Sequence, residues 1–366
     1  MRWDAWVTGE LDGVRAAARW RRIRTLDGGG PTFELDGRLV VSFASNDYLG
    51  LSQHPAVIGA AREALDRWGT GSGASRLVVG ARPIHAELEA ALAGWKAAEA
   101  ALLFPTGFAA NLGALSTLGA GATIVSDELN HASIVDGCRL ARADVRVFRH
   151  GDADHAASLV RHAPGRVLVV TDTVFSMDGD VAPVAELSRL CASTGSLLVL
   201  DDAHAVLGAP DPDPDARVVR VGTLSKTLGS LGGFVAGPSA YVDLLVNRAR
   251  SFIFTTAPTP ADTAAGLAAL QVLRSDEGRR LTARLDAHVR RLRPGHPSPV
   301  VPVVLGDEDA TLKASAALLE RGLLVPGIRP PTVPAGTSRL RVALSAVHTD
   351  EQVEALVEAL ECVSSS

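Results

Sequence analysis

A chain of 366 residues with 47% hydrophobic and 21% charged residues has the composition of a globular protein with one large and one smaller domain, not of a disordered one. Its net charge of −5 argues against general nucleic-acid binding, and no apolar run reaches the length of a membrane span. Three widely spaced cysteines, Cys138, Cys191 and Cys362, fit neither a disulfide framework nor a metal site, and the start Met1-Arg2-Trp3-Asp4 has no secretory apolar core, so a cytoplasmic location is expected.

Trp3, Trp6, Val7, Leu11, Val14 and Ala18 recur at helical spacing, which predicts a helix within 3–24 that packs on the body of the protein. Arg19, Arg21, Arg22 and Arg24 follow; such runs are mostly solvated, although one guanidinium is able to reach a carboxylate. Gly28-Gly29-Gly30-Pro31 breaks the helix, and the apolar runs 33–35 and 39–41 flank Asp36-Gly37, a hairpin signal. The stretch Ser45-Asn46-Asp47-Tyr48-Leu49-Gly50-Leu51 comes next. Residues 69–76, Gly-Thr-Gly-Ser-Gly-Ala-Ser-Arg, superficially resemble a phosphate loop; the missing Gly-Lys-Ser/Thr ending and the absence of a preceding strand argue against one. Ile84, Leu88, Leu92 and Trp95 mark one face of a helix over 84–96.

From residue 100 the pattern alternates between strand and helix. Short apolar strands are expected at 100–104, 123–126, 145–148, 167–171, 197–200, 218–223 and 233–236, which together predict a mostly parallel sheet covered on both faces. The acidic, Pro-rich run 211–215 is a loop. A long helical region starts near 257, and 299–362 read β-α-β-β-α, with Thr349 and Gln352 forming a capping-box signature. The expected division is an N-terminal helix and hairpin arm (1–45), a large domain (46–275) and a small C-terminal α+β domain (276–366).

Ligands of such sheets sit beyond the carboxyl ends of the strands, so the residues just past each strand carry the chemistry. Past 100–104, the stretch Pro105-Thr106-Gly107-Phe108-Ala109-Ala110-Asn111 opens a helix whose free amides favour a phosphate. Past 123–126 lies His131, past 167–171 the stretch Phe175-Ser176-Met177-Asp178-Gly179-Asp180, past 197–200 Asp201-Asp202-Ala203-His204, and past 218–223 Lys226. Each has a plain alternative as a cap, a turn residue or a satisfied core histidine; all of them together, each at a strand end, do not. Only Lys96, Lys226 and Lys313 are lysine among 36 basic residues, and arginine, always protonated, forms no usable imine. A Schiff base with an aldehyde cofactor gives a lysine at the end of a buried strand a role. An aspartate facing a pyridine nitrogen keeps it protonated, which suits Asp201; His204 is placed for the ring hydroxyl, His131 for the ring face, and Lys226 for general-base work. The set describes pyridoxal 5'-phosphate (PLP) in a sheet crevice.

From Ser45 almost to the C-terminus the chain resembles the α-oxoamine synthase family of fold-type I PLP enzymes. The resemblance rests on residues 45–51, 175–180, 201–204, on Gly222-Thr223-Leu224-Ser225-Lys226, and on the run from Arg329 to Thr337. It implies a PLP-dependent transferase fold with a seven-stranded, mostly parallel sheet, Lys226 as the Schiff-base lysine, His131 on the ring, Asp201 at the pyridine nitrogen, Ser176 and His204 around the ring oxygen, and Gly107, Phe108 and Thr223 lining the cofactor. It implies a homodimer with shared sites, where Thr255 and Thr256 reach the phosphate of the partner's cofactor. Asn46, Thr332, Arg341 and an N-terminal arginine are then substrate contacts. Arg21 fits the local pattern of that arginine, with Arg19 and Arg22 as alternatives; Arg339 shares the strand face of Arg341. The implied reaction is the decarboxylating condensation of an amino acid, L-alanine expected, with an acyl thioester, a pimeloyl-CoA or carrier-protein thioester expected. Sister synthases using glycine or serine, an aminotransferase, and a non-catalytic protein of the same fold are the alternatives. Two departures stand out: Ala205 where the family has glycine, expected to place a methyl group near the cofactor, and a segment, Gly208 to Arg217, about ten residues shorter, a thermodynamically mild change.

Overall fold

The computed structural model describes residues 2–17, 19–208 and 210–364. Near the N-terminus, β1 (Asp27–Gly29), β2 (Thr32–Leu35) and β3 (Arg38–Ser42) form an antiparallel meander. Its β2–β3 turn is Asp36-Gly37, both residues at positive φ (51° and 77°), the backbone that a tight hairpin following the strand twist requires.

The central sheet comprises β4 (Ala100–Phe104), β5 (Thr123–Asp127), β6 (Asp144–Phe148), β7 (Val167–Asp172), β8 (Leu197–Asp201), β9 (Arg217–Thr223) and β10 (Gly233–Gly237), in the order β4-β10-β9-β8-β7-β5-β6. β10 runs antiparallel to both neighbours and the other pairings are parallel. Every residue of β5 is buried, as expected of a strand covered by helices on both faces. Because six strands point one way, their carboxyl ends share one rim.

The C-terminal part holds β11 (Val300–Gly306), β12 (Leu323–Leu324), β13 (Gly327–Ile328) and β14 (Ser338–Ala343), with the helices Glu308–Glu320 and Asp350–Ser364. β11, β14 and β13 form an antiparallel sheet, whereas β12 joins the N-terminal meander by pairing parallel with β3. The expected β-α-β-β-α is therefore interrupted by an additional two-residue strand that reaches back to the chain's beginning. One continuous apolar cluster, including Phe43, Tyr48, Leu88, Leu224, Val300 and Leu340, joins the N-terminal segment, one side of the central sheet and the C-terminal sheet. The capping box is present: Thr349 N donates to Gln352 Oε1 (3.0 Å) and Gln352 N to Thr349 Oγ1 (3.2 Å).

The N-terminal helix departs from expectation. It spans only Trp3–Ala16 and buries none of its residues, so Trp3, Trp6, Val7, Leu11 and Val14 stay exposed; Ala18 lies outside the described residues. Four arginines within six positions would repel one another on adjacent helical turns, and the chain has no regular secondary structure there. The stripe is thereby left without a partner surface in its own chain. An ion pair, Arg19 to Glu308 at 3.8 Å, ties the segment to the body. No helix among the described residues is long and apolar enough to cross a membrane.

Candidate active site

Lys226 follows β9 and projects into a cavity of about 220 Å³ that Gly107, Phe108, Asn111, His131, Asp172, Asp201, His204 and Thr223 also line. Burial pulls the Lys226 ammonium below its ordinary pKa and Arg341 adds to this, while Asp201 and Asp172 oppose it. A larger fraction of free amine follows, which nucleophilic or general-base work needs.

Asp201 ends β8 and is buried. Its Oδ2 accepts from Asn111 Nδ2 (2.6 Å) and its Oδ1 from Ala203 N (3.0 Å). Asn111 lies one turn into the helix Gly107–Leu118 and also donates to Ser133 Oγ (2.9 Å). Asp172, at the end of β7, is held well above the carboxylate range by burial and by the nearby Asp201 charge, and it accepts from the backbone N–H of His131 (2.7 Å). The His131 ring is fixed through Nδ1, which accepts from Ser133 N (3.2 Å) as the cap of the helix Ala132–Ala141; Phe108 meets the ring edge-on at 6.4 Å. Desolvation in the cleft, helped by Lys226, keeps this imidazole below its usual pKa against the pull of Asp201.

A buried chain of hydrogen bonds leads from His204 to the C-terminal sheet. His204 Nδ1 is 2.6 Å from Tyr48 Oη, Tyr48 Oη donates to Asn46 Oδ1 (3.1 Å), and Arg341 Nη2 donates to the same Oδ1 (3.1 Å). A phenol has one proton, and Asn46 takes it, so Nδ1–H of His204 donates to Tyr48 and Nε2 keeps its lone pair. The imidazole is neutral: burial pushes its pKa well down, reinforced by Lys226, Arg341 and His131. Burial also pushes the Tyr48 phenol up to about 12, against the lowering influence of Arg341. Arg341 Nε donates to the carbonyl of Ser176 (2.6 Å). Both strand arginines are buried (5% exposed), and Arg339 pairs with Asp178, so neither is the solvated residue that strand arginines usually are.

The cavity suits PLP. At one end, the helix Gly107–Leu118 opens with Thr106 Oγ1 accepting from Ala109 N (3.1 Å), which leaves the N–H groups of Gly107 and Phe108 without acceptors among the described residues. Thr223 and Ser225 hydroxyls, 2.7 Å apart, stand opposite, so a phosphate would find amides, hydroxyls and a favourable dipole. At the other end the Asp201 carboxylate matches a protonated ring nitrogen. The buried Asn111 Oδ1 has no hydrogen-bond partner among the described residues.

Other expected site residues lie elsewhere. Ser176 is half-buried at the Arg341 contact and does not line the cavity. Thr332 and Arg21 are exposed, and Thr255 and Thr256 lie on the loop before the helix Pro260–Arg274; none of the four lines the cavity of its own chain. Ala205 faces a second cavity of about 840 Å³ beside Lys96, Asp202 and Arg220, so the expected methyl group near the cofactor is not found there. Tyr48, Asn111, Ser133 and Asp172 are additions. Tyr48 lay within the 45–51 motif and Asn111 one turn after Gly107, whereas nothing in the sequence marked Ser133 or Asp172.

Residues 38–360 match the aminotransferase class I and II family. The 8-amino-7-oxononanoate synthase of Methylobacterium sp. (strain 4-46) is 50% identical over 98% of this chain and 96% of its own. That of Alkalilimnicola ehrlichii is 49% identical over 94% of each. A serine palmitoyltransferase from S. paucimobilis, solved with PLP and myriocin bound, superposes with a TM-score of 0.91 at 28% identity, covering 98% of this chain and 96% of that one. The chain belongs to the aminotransferase class I and II family and, within it, to the PLP-dependent α-oxoamine synthases.

Proposed function

We propose that the protein condenses L-alanine with a pimeloyl thioester, on CoA or a carrier protein, releasing CO₂ and free thiol and forming 8-amino-7-oxononanoate for biotin biosynthesis. Full-length relatives near 50% identity carry that activity in their names. The observation that carries the reading in this chain is the convergence of Lys226, Asp201, His131 and His204 on one cavity, with the Arg341 charge acting on two of them.

PLP, when bound, supplies an electron sink for negative charge at the amino acid's Cα. The chain's own residues do the rest. The Lys226 amine, desolvated and therefore more often neutral, takes up the Cα proton and returns one later. Arg341, already fixed by Asn46 and the Ser176 carbonyl, presents its remaining donors to the substrate carboxylate. His131, locked through Nδ1, bounds the substrate side. His204 offers the Nε2 lone pair to a hydroxyl, and Asp201 holds a proton on a ring nitrogen facing it.

The site roles, the division at 45 and 275, a cytoplasmic setting and a homodimer with shared sites belong to the same proposal. Support for the dimer comes from Leu77, Val78 and Val79 (54%, 72% and 68% exposed), on a turn packed against the helix that leads to Phe254 (69% exposed). Such an apolar patch beside Thr255 and Thr256 suits a subunit boundary. The test is a panel of acyl thioesters offered with L-alanine, glycine and L-serine while thiol release is followed. Release highest with L-alanine and the pimeloyl chain is expected; preference for L-serine or glycine overturns the substrate assignment, and amino-group exchange without thiol release overturns the reaction class.

A further inference from the structure

His150 follows β6, outside the PLP cavity, and lies against the turn that carries Phe175 and Asp180. Its Nδ1 is 3.0 Å from Asp127 Oδ1 and its Nε2 2.8 Å from Asp180 Oδ2. Both acceptors are carboxylates, and a neutral imidazole has only one N–H, so this geometry requires the imidazolium. Neither Asp127 oxygen is free for other work: Oδ1 also accepts from Leu129 N (2.9 Å) and Oδ2 from Gly151 N (2.9 Å). The raised pKa of His150, about 10, agrees with the pairing; the hydrogen bonds to Asp127 and Asp180 are its main causes.

The turn is gripped at both of its ends. Asp180 forms the ion pair, and the Phe175 ring meets the imidazole at 90° and 4.4 Å. Backbone bonds close the turn, Phe175 N to Asp180 O (3.0 Å) and Gly179 N to Phe175 O (2.8 Å). Gly179 has φ 69°, and a side chain there would run into the carbonyl of Val300, so the turn sits hard against β11. Its middle faces Arg341: the Ser176 carbonyl accepts a hydrogen bond from Arg341 Nε–H (2.6 Å). Through Asp127 the same imidazolium is tied to the segment that leads to His131.

We propose that His150 is a positioning residue for the substrate carboxylate: by clamping the 175–180 turn between Asp127 and Asp180 it fixes the carbonyl that aims Arg341. This rests on the reading of Arg341 as the carboxylate ligand. A residue that only stabilised the fold would affect all ligands alike, whereas this one acts on the carboxylate.

The test is equilibrium titration of the PLP holoenzyme with L-alanine and with L-alaninol, which lacks the carboxylate, read from the cofactor absorbance. His150→Gln should weaken L-alanine binding about three- to tenfold, within the lower part of the range of coupling between residues sharing one network, and leave L-alaninol within about twofold. Asp180→Ala, which removes the acceptor for Nε2–H while the imidazole and its Asp127 contact stay in place, should likewise weaken L-alanine and spare L-alaninol, and it decides the matter alone should His150→Gln not fold. In steady state the KM for L-alanine should rise while the KM for the thioester holds. Equal weakening of both ligands, or of neither, overturns the proposal. Arg341→Ala separates the two ideas. If it abolishes the preference for L-alanine while the His150 and Asp180 variants keep it, the clamp alone is wrong; if it keeps the preference, the reading of Arg341 fails and the clamp with it.

Discussion

The hydroxyl of Tyr48 is the smallest group on which the site's geometry depends. It accepts a hydrogen bond from Nδ1–H of His204 and donates its own to the Asn46 oxygen that also holds Arg341. Tyr48→Phe keeps the ring in the core and deletes that oxygen, leaving a buried imidazole N–H unpaired. A loss of about 1–3 kcal/mol in unfolding free energy is expected, together with a weaker grip on PLP, both measurable by denaturant titration and cofactor binding. Unchanged stability would mean that His204 Nδ1 does not depend on the Tyr48 hydroxyl as its partner. The residue also marks how far the site is legible in the chain. Lys226, Asp201, His204 and His131 are readable because a parallel sheet sends each strand's end to one rim, so proximity follows from order alone. Tyr48 and Asn111 act by holding another side chain and Asp172 by holding the backbone N–H of His131, and that depends on contacts such as the 2.6 Å bond between Asn111 and Asp201, ninety positions apart, which no local pattern encodes.

At the scale of elements, the seven strands of the central sheet lie within one residue of their expected bounds; buried apolar runs set most of them, whereas β6, largely exposed, and β9, partly so, are marked by short β-branched stretches instead. The hairpin at Asp36-Gly37 and the Thr349–Gln352 cap are equally local. β12 was hidden for the opposite reason: two residues, Leu323 and Leu324, carry no periodicity, and their partners Val41 and Ser42 are nearly three hundred positions away. The turn 175–180 is an element whose tether is electrostatic, and its pH dependence has a definite sign. The folded pKa of His150, about 10, stands above the ordinary histidine value. Below about 6.5 both folded and unfolded states hold the proton and the contribution is complete. Between that value and about 10 only the folded state does, so stability falls as pH rises. The difference in unfolding free energy between the wild type and His150→Gln should accordingly shrink steadily from neutral pH to about pH 10. A constant difference over that window would mean that His150 is not charged in the folded protein.

For the whole molecule, the issue is whether one chain makes one site. Within a single chain Thr255 and Thr256 lie outside the cavity of Lys226, Arg21 sits exposed beyond a helix that buries nothing, and apolar surface flanks the loop carrying the threonines. A site completed across a two-fold axis accounts for all three observations, since an isologous contact delivers each chain's loop to the other's cavity. Complementation tests this without any structure of the assembly. A Lys226→Ala protomer lacks the amine, and a Thr255→Ala/Thr256→Ala protomer lacks the hydroxyls; each homodimer is impaired at both sites. In a mixed dimer with shared sites, one site carries both defects and the other none. With free exchange at equal concentrations half the dimers are mixed, so roughly a quarter of all sites should be native and activity should approach that share of wild type. With sites built inside one chain, every site keeps one defect and mixing restores nothing. Subunit exchange is verified independently by differently tagged protomers, so activity that stays at the level of the two parents despite exchange places the threonines on their own chain's business.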